Sequence, residues 1–248
     1  MLPTISTADT QLYALETRLG ALAARSSGRG ATLVFFAGAL ANHDLWRDVV
    51  VALEDRYRCI TIDLPLGAHP WPLSTGADRS ASSLARLLPD CLELLDVEDA
   101  TVVANDTAGG LLLLSLATGH PALGRMGRLV LTNCDNYDQF PPDALRKASA
   151  LSRALPRVVR SLLRLQLRSA TARRKIVSTV AASGLDHERV ESFFGPARCD
   201  QRVAGDLVAA LAGFRPQLLI DAAEAIPRTW VPIDNPAAVA GAITKFVP

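Results

Sequence analysis

Hydrophobic and polar positions form two kinds of segment along the first half of the chain. Short apolar runs bounded by small or polar residues predict buried strands, at Ala31–Gly38, Tyr57–Ile62, Ala100–Ala104 and Arg128–Thr132. Apolar residues spaced three and four positions apart predict helices, at Leu45–Leu53, Ser82–Leu95 and Ala108–Ala117. Apolar strands that alternate with helices are typical of a parallel sheet covered on both faces. The pattern therefore predicts an α/β fold with a mostly parallel sheet.

The pattern changes after residue 139. Residues 140–213 contain no convincing strand and read as helices interrupted by proline and glycine. A helical block that follows a strand of an α/β sheet is expected over the carboxyl edge of that sheet, where ligands of such folds bind. We predict an α/β core over residues 1–139, a basic helical cap over 140–213, and a C-terminal part of the core over 214–248.

The net charge of +1 hides two regions of opposite sign. Between Asp143 and Lys175 the chain has ten basic residues and one acid, so this span carries +9 and the rest of the chain −8. Five of these basic residues recur three or four positions apart: Arg153, Arg157, Arg160, Arg164 and Arg168. A basic amphipathic helix is typical of a surface that binds a membrane or an anionic partner. The alternative is a solvated helix face above an apolar pocket.

Composition narrows the class of protein. The apolar share of 49% is enough for a sizeable core, and no apolar run reaches the length of a membrane span. The N-terminus does not resemble a secretory signal, and the four cysteines are too far apart for a zinc or redox motif. The acidic remainder and the aromatic share of 5% argue against nucleic-acid binding. We expect a cytoplasmic protein without a metal or cofactor, and the sequence leaves its oligomeric state open.

The segment Val102–Gly110 carries the most specific chemical signal. A predicted strand ends at Ala104, Asp106 follows, and the small residues Ala108, Gly109 and Gly110 open a helix. A sharp strand-to-helix turn needs small neighbours and presents its central side chain above the sheet as a nucleophile. The alternative is that Asp106 only caps the helix, since Asp is a preferred N-cap residue.

Four other segments, taken with this turn, resemble the α/β-hydrolase superfamily in the right order along the chain. They are Phe35–Asn42, Tyr57–Gly67, Arg128–Asp135 and Val231–Pro236. An Asp at the nucleophile position resembles the haloalkane dehalogenase and epoxide hydrolase branch of that superfamily. The resemblance implies a hydrolase that acts on a small apolar electrophile through an alkyl-enzyme ester.

Individual roles follow from the same resemblance. Asp106 is the implied nucleophile, and the backbone N–H groups of Ala39 and Thr107 form the implied oxyanion hole. Asp135 is the candidate acid of the triad, with a turn-initiating aspartate as the alternative. Four loop residues are candidates for contacting the substrate, each with an ordinary loop role as its alternative: Asn42, His43, Trp71 and Asn105.

The chain also departs from the superfamily pattern. Thr229 stands where the catalytic histidine is expected, just before Trp230. A strand–helix–strand unit of roughly 30 residues is missing upstream of it, so we expect a sheet without the last two core strands. His43 and His69 lie on loops that could reach the site. His120 is instead expected to cap a helix, and His187 is expected to lie on the surface. The second hypothesis is therefore a non-catalytic binding or interaction protein of the same fold.

Overall fold

The computed structural model describes residues 6–7, 10–134, 143–181 and 184–225. One sheet of seven strands has the order β1-β2-β3-β5-β4-β6-β7. The strands are β1 (Ser6–Thr7), β2 (Thr10–Thr17), β3 (Gly20–Ser27), β4 (Ala31–Phe36), β5 (Tyr57–Ile62), β6 (Ala100–Asn105) and β7 (Met126–Thr132).

Helices within the described residues fall into two groups. Three accompany the sheet and six follow it. They are α1 (Arg47–Leu53), α2 (Ala81–Leu94), α3 (Thr107–Ala117), α4 (Asp143–Ala154), α5 (Pro156–Arg168), α6 (Ala170–Val180), α7 (His187–Cys199), α8 (Gln201–Gly213) and α9 (Pro216–Ala225). Short 3-10 turns at His43–Leu45 and Pro121–Arg125 precede α1 and β7.

The prediction of a mostly parallel α/β sheet is confirmed by strands β4 to β7. Strand β4 pairs in parallel with β5 and β6, and β6 pairs in parallel with β7. Strands β1, β2 and β3 were not predicted, and they add an antiparallel part that joins the sheet through β3 and β5. The signal was weak for β3, because six of its eight residues are alanine, serine or glycine, and alanine and glycine are depleted in strands.

Successive residues of the central strands point to opposite faces of the sheet, as the pleat requires. Val34 and Phe36 belong to the large core formed with α2 and α3. Phe35, between them, packs with Trp46 on the face that carries α1. Helix α3 is buried along nearly its whole length, so the turn that starts it is held in place by the main core.

Helices α4 to α8 form a helical block (Asp143–Gly213), as predicted for this part of the chain. Their own core contains Leu167, Phe193 and Phe194, and it packs against Leu40 and Leu45 from the loop after β4. Since parallel strands share one carboxyl edge, this contact places the block beside that edge. Helix α9 then returns to the main core and packs beside α3.

Within the described residues no single helix is long and apolar enough to cross a membrane. Helices α8 and α9 meet the length and composition requirement only as a pair bent by 64°. Both helices supply buried residues to the main core.

No strand follows β7 among the described residues, so β7 forms one edge of the described sheet. Thr229 and the rest of the predicted C-terminal part of the core after residue 225 lie outside the described part of the chain.

Candidate functional site

Asp106 occupies the sharp turn between β6 and α3. Its backbone has φ 53° and ψ −129°, in the left-handed region that residues with a side chain rarely adopt. A Cβ atom on Gly38 would lie 2.2 Å from Asp106 Oδ2, and one on Gly109 would lie 2.1 Å from Cys134 Sγ. A side chain at Gly38 would therefore overlap the Asp106 carboxyl, and one at Gly109 would overlap Cys134, so the packing around this turn favours glycine at both positions.

Two hydrogen bonds converge on one oxygen of Asp106. The backbone N–H of Ala39 donates to Oδ2 over 3.1 Å, and the hydroxyl of Thr107 donates to the same atom over 3.1 Å. The carboxylate accepts no capping hydrogen bond from α3. Asp106 stands at the N-cap position of α3, and its side chain also faces the loop after β4, where it accepts from Ala39.

Burial raises the pKa of Asp106, although hydrogen bonds from Thr107 and Ala39 act in the opposite direction. Desolvation disfavours the charged carboxylate, and no cation is among the groups that influence this pKa. A buried carboxyl with a raised pKa, held in a strained turn, is typical of functional sites.

Backbone strain is concentrated where the parallel strands end. Leu40, Asp106 and Asn133 all have positive φ angles, and they follow β4, β6 and β7 respectively. The two other strained residues with side chains, Asp96 and Asp99, lie in the turn before β6, at its other end. Strain at the carboxyl edge agrees with a site there.

Two of the predicted substrate-contacting residues have structural hydrogen bonds. The amide of Asn42 donates to the carbonyl oxygens of Ala68 and Ser192 and to the Ser192 hydroxyl, which joins the loop after β4 to α7. The amide of Asn105 donates to the carbonyl and hydroxyl oxygens of Thr132, which links the ends of β6 and β7. Contact of either residue with a substrate stays a prediction.

His43 lies between two carboxylates. Its Nδ1 is 3.4 Å from Asp63 Oδ1, and its Nε2 is 3.6 Å from Asp44 Oδ1. Asp63 also accepts a hydrogen bond from Arg25 over 2.8 Å. Burial alone would raise the pKa of Asp63, but the contacts with His43 and Arg25 outweigh it and hold this pKa below its usual value. His43 therefore belongs to a separate charged cluster.

His69 is buried in an ion-paired network that connects the core to the helical block. Its Nε2 is 3.1 Å from Asp206 Oδ2 on α8, and its Nδ1 accepts a hydrogen bond from the Gly67 N–H. The same Asp206 carboxylate accepts hydrogen bonds from the Leu73 N–H and from Arg79 Nε. We call these three side chains (His69, Arg79 and Asp206) the anchor.

The remaining candidates are Trp71, His120, His187 and Asp135. Trp71 is half-buried in the loop between β5 and α2, and its contact with a substrate stays a prediction. His120 accepts a hydrogen bond from the Ala122 N–H and so caps the 3-10 turn before β7. His187 begins α7. Asp135, the candidate triad acid, lies outside the described residues.

Sequence reasoning missed Asp206, although a signal was present. Asp206 is the only acid in α8 and lies among buried residues of the same helix, including Val203, Leu207 and Ala210. An acidic residue on an apolar helix face is almost never buried unless it is paired. This pattern predicts a buried partner without identifying His69 or Arg79, which lie far away in the sequence.

The described residues bring no histidine to Asp106. His43, His69 and His120 each contact other groups, and none of them is within hydrogen-bond distance of the Asp106 carboxylate. In the same part of the chain no three His, Cys, Asp or Glu side chains are arranged to hold a metal ion.

Comparison with known proteins supports the fold. No protein-family model matches the sequence. A non-heme chloroperoxidase of Kitasatospora aureofaciens is 35% identical over 105 residues, which are 42% of this chain and 37% of that protein. The matching region thus spans little more than a third of the relative's length.

Solved structures match over much more of the chain. An α/β-hydrolase fold protein from Burkholderia ambifaria gives a TM-score of 0.67 at 19% identity, covering 96% of this chain and 87% of the other. A haloalkane dehalogenase from Bradyrhizobium elkani gives a TM-score of 0.63 at 18% identity, and the match covers 88% of this chain and 74% of the dehalogenase. An epoxide hydrolase gives a TM-score of 0.65 at 16% identity, and the match covers 87% of this chain and 77% of the epoxide hydrolase. The chain has the α/β-hydrolase fold.

Proposed function

We propose that the protein is a hydrolase-type enzyme whose Asp106 attacks the electrophilic carbon of a small apolar substrate. The observation that carries this proposal is the strained position of Asp106, with its Oδ2 held by the Ala39 N–H and the Thr107 hydroxyl. Both of these hydrogen bonds fall on Oδ2, which leaves Oδ1 as the attacking oxygen. The fold, shared with haloalkane dehalogenases and epoxide hydrolases, supports the same chemistry.

The first step forms an ester. Asp106 Oδ1 makes a bond to the substrate carbon, and the carbon–halogen bond breaks with its electron pair leaving as halide. Oδ2 becomes the carbonyl oxygen of the ester, and the Ala39 N–H stays directed at it. When water attacks this ester, negative charge develops on the same oxygen and the N–H stabilises it. Hydrolysis then releases an alcohol and restores the carboxylate.

The second step needs a base to take a proton from the attacking water. Among the described residues no histidine contacts Asp106, so we expect the ester to form faster than it is hydrolysed. This same observation favours the second candidate, a binding protein of this fold without turnover. The two candidates differ in whether Asp106 reacts.

Intact mass spectrometry after incubation with 1-bromobutane tests the proposal. We expect the protein to gain the mass of one butyl group, and Asp106→Asn to gain none. Glu188→Gln is the matched control, because this side chain is 79% exposed and lies away from Asp106 in an ion pair with Arg47. Its adduct should match that of the unchanged protein.

Each result has one meaning. A stable adduct that depends on Asp106 supports a nucleophile with slow hydrolysis, and repeated bromide release that depends on Asp106 supports a complete hydrolase. An unmodified protein with no bromide release rejects the role of Asp106 and favours the binding protein.

The pH dependence of adduct formation gives an independent prediction. Only the ionised carboxylate is nucleophilic, and burial raises the pKa of Asp106. The alkylation rate should therefore increase with pH and reach half its maximum above 3.8, the usual value for Asp. Quenched samples taken between about pH 4 and about pH 8 would give the profile by mass spectrometry. A rate that is already constant from about pH 4 upward contradicts this prediction.

A further inference from the structure

Helix α5 exposes apolar side chains on its outer side. Leu163 and Leu167 face the core of the helical block, whereas Leu162 and Leu165 are exposed. We define the apolar strip as the exposed large aliphatic residues of α4, α5 and the residue between them: Leu151, Leu155, Val158, Leu162 and Leu165. Within α5 the spacing of four and three residues puts Val158, Leu162 and Leu165 on one side of the helix, and Leu151 and Leu155 are exposed just before this helix begins. The apolar face of α5 is therefore wider than its packing requires.

Arginines line one edge of the apolar strip. Those on α5 are Arg157, Arg160, Arg164 and Arg168, and the helix contains no acid. Arg164 donates to the carbonyl oxygens of Arg198 and Cys199. No acidic side chain in the described ranges lies within ion-pair distance of Arg157 or Arg168. Residues 144–185 contain ten basic residues and no acid, so this surface has a positive potential.

The positive charge of this surface favours some binding partners of the apolar strip over others. A second copy docked through the same face would bring arginines against arginines, which repel each other. Protein hot spots are enriched in Trp, Tyr and Arg, and Leu and Val are under-represented among them, whereas the apolar strip consists of Leu and Val alone. Helices with Leu on one side and Arg beside it bind at the boundary between lipid headgroups and acyl chains.

We propose that α5 docks the protein on an anionic lipid surface. The apolar strip enters the acyl boundary, and the guanidinium groups of Arg157 and Arg168 pair with headgroup phosphates, for which arginine geometry is well suited. This docking does not involve Asp106. A failure of the proposed reaction would therefore leave the docking proposal unchanged, and a failure of the docking would leave the proposed reaction unchanged.

Vesicle flotation tests the docking. We expect binding to phosphatidylcholine vesicles that contain about one third phosphatidylglycerol, little binding to phosphatidylcholine alone, and weaker binding as salt increases. The double variant Arg157→Gln/Arg168→Gln should bind about 25-fold more weakly, since each basic residue at such a surface contributes about fivefold. Leu162→Gln/Leu165→Gln should lose about tenfold or more, because two apolar side chains no longer enter the bilayer.

Matched controls test whether position matters as well as residue type. Val51→Gln on α1 replaces a side chain that is 64% exposed, close to the 62% of Leu165. Arg86→Gln removes an exposed arginine on α2. Both should bind vesicles like the unchanged protein. Thermal melts of all variants test whether the altered surface residues leave the fold intact.

Several outcomes would overturn the proposal. Equal binding to both kinds of vesicle, or unchanged binding after either double substitution, removes the lipid role of α5. If the protein binds soluble polyglutamate tightly, and Leu162→Gln/Leu165→Gln leaves this binding unchanged, the surface binds an acidic protein and not a lipid. A concentration-dependent dimer in sedimentation, abolished by Leu165→Gln, assigns it to a second copy.

Discussion

Replacing Asp206 by alanine should lower the free energy of unfolding by about 3–5 kcal/mol, the range for removing one member of a buried ion pair. The Asp206 side chain is 1% exposed and accepts hydrogen bonds from His69, Arg79 and the Leu73 N–H. Without the carboxylate, His69 loses its buried acceptor, and Arg79 keeps only the carbonyl oxygens of Ala77 and Ser74. Urea unfolding followed by circular dichroism measures the loss.

Glu188→Ala is the control for this change. Its ion pair with Arg47 is at the surface, and exposed pairs contribute about 1 kcal/mol or less. If Asp206→Ala costs no more than Glu188→Ala, the anchor does not hold the helical block to the core.

The cost of losing Asp206 should also depend on pH. Burial alone raises the pKa of Asp206, but the hydrogen bonds from His69, Leu73 and Arg79 outweigh it and hold the pKa below its usual value of 3.8. A carboxyl with a lowered pKa stabilises the fold above the pKa of the unfolded chain and loses this effect as pH falls through the folded value. The difference between Asp206→Ala and the unchanged protein should therefore shrink in acid.

Replacing Gly38 by alanine should reduce the rate at which the Asp106 ester is hydrolysed by about 100- to 1000-fold, the usual effect of losing one oxyanion donor. The added Cβ would lie 2.2 Å from Asp106 Oδ2 and 2.6 Å from Asp106 Cβ. Either Asp106 or the loop that carries Ala39 must move, which breaks the hydrogen bond between them. The decay of the butyl adduct after 1-bromobutane is removed, followed by mass spectrometry, measures the effect.

Gly124→Ala provides the matched glycine substitution. No atom lies within 4 Å of a Cβ built on Gly124, so the ester of this variant should be hydrolysed at the rate of the unchanged protein. A normal rate in Gly38→Ala would mean that the contact between Ala39 and Asp106 does not support the reaction.

The sequence was most informative about structure that depends only on residues close together in the chain. Strands β4 to β7 were predictable because they are apolar runs. Helix α3 was predictable because it is apolar from Ala108 to Leu114. The turn at Asp106 was predictable because its geometry demands small residues close in sequence, whatever the rest of the fold does. The hairpin of β2 and β3 lacked such a signal, since its second strand is rich in alanine.

The partners of the polar side chains were decided by tertiary structure. Asn42 and His43 follow a strand at the expected edge, but their neighbours are Ser192 and Asp63. The pairing of His69 with Asp206 spans 137 positions of the chain. Hydrogen bonds of this kind depend on how distant segments pack, and the spacing of residues along one segment carries no information about it.

By itself, then, the sequence determined the α/β alternation, the helical block and the position of Asp106, because each is written in short-range apolar or steric patterns. Tertiary structure alone decided that Ala39, 67 positions before Asp106, donates to its carboxylate. It also decided that one half of the apolar face of α5 is buried and the other half exposed. The physical reason is the same for both: a folded chain brings together groups whose separation in sequence says nothing about their separation in space.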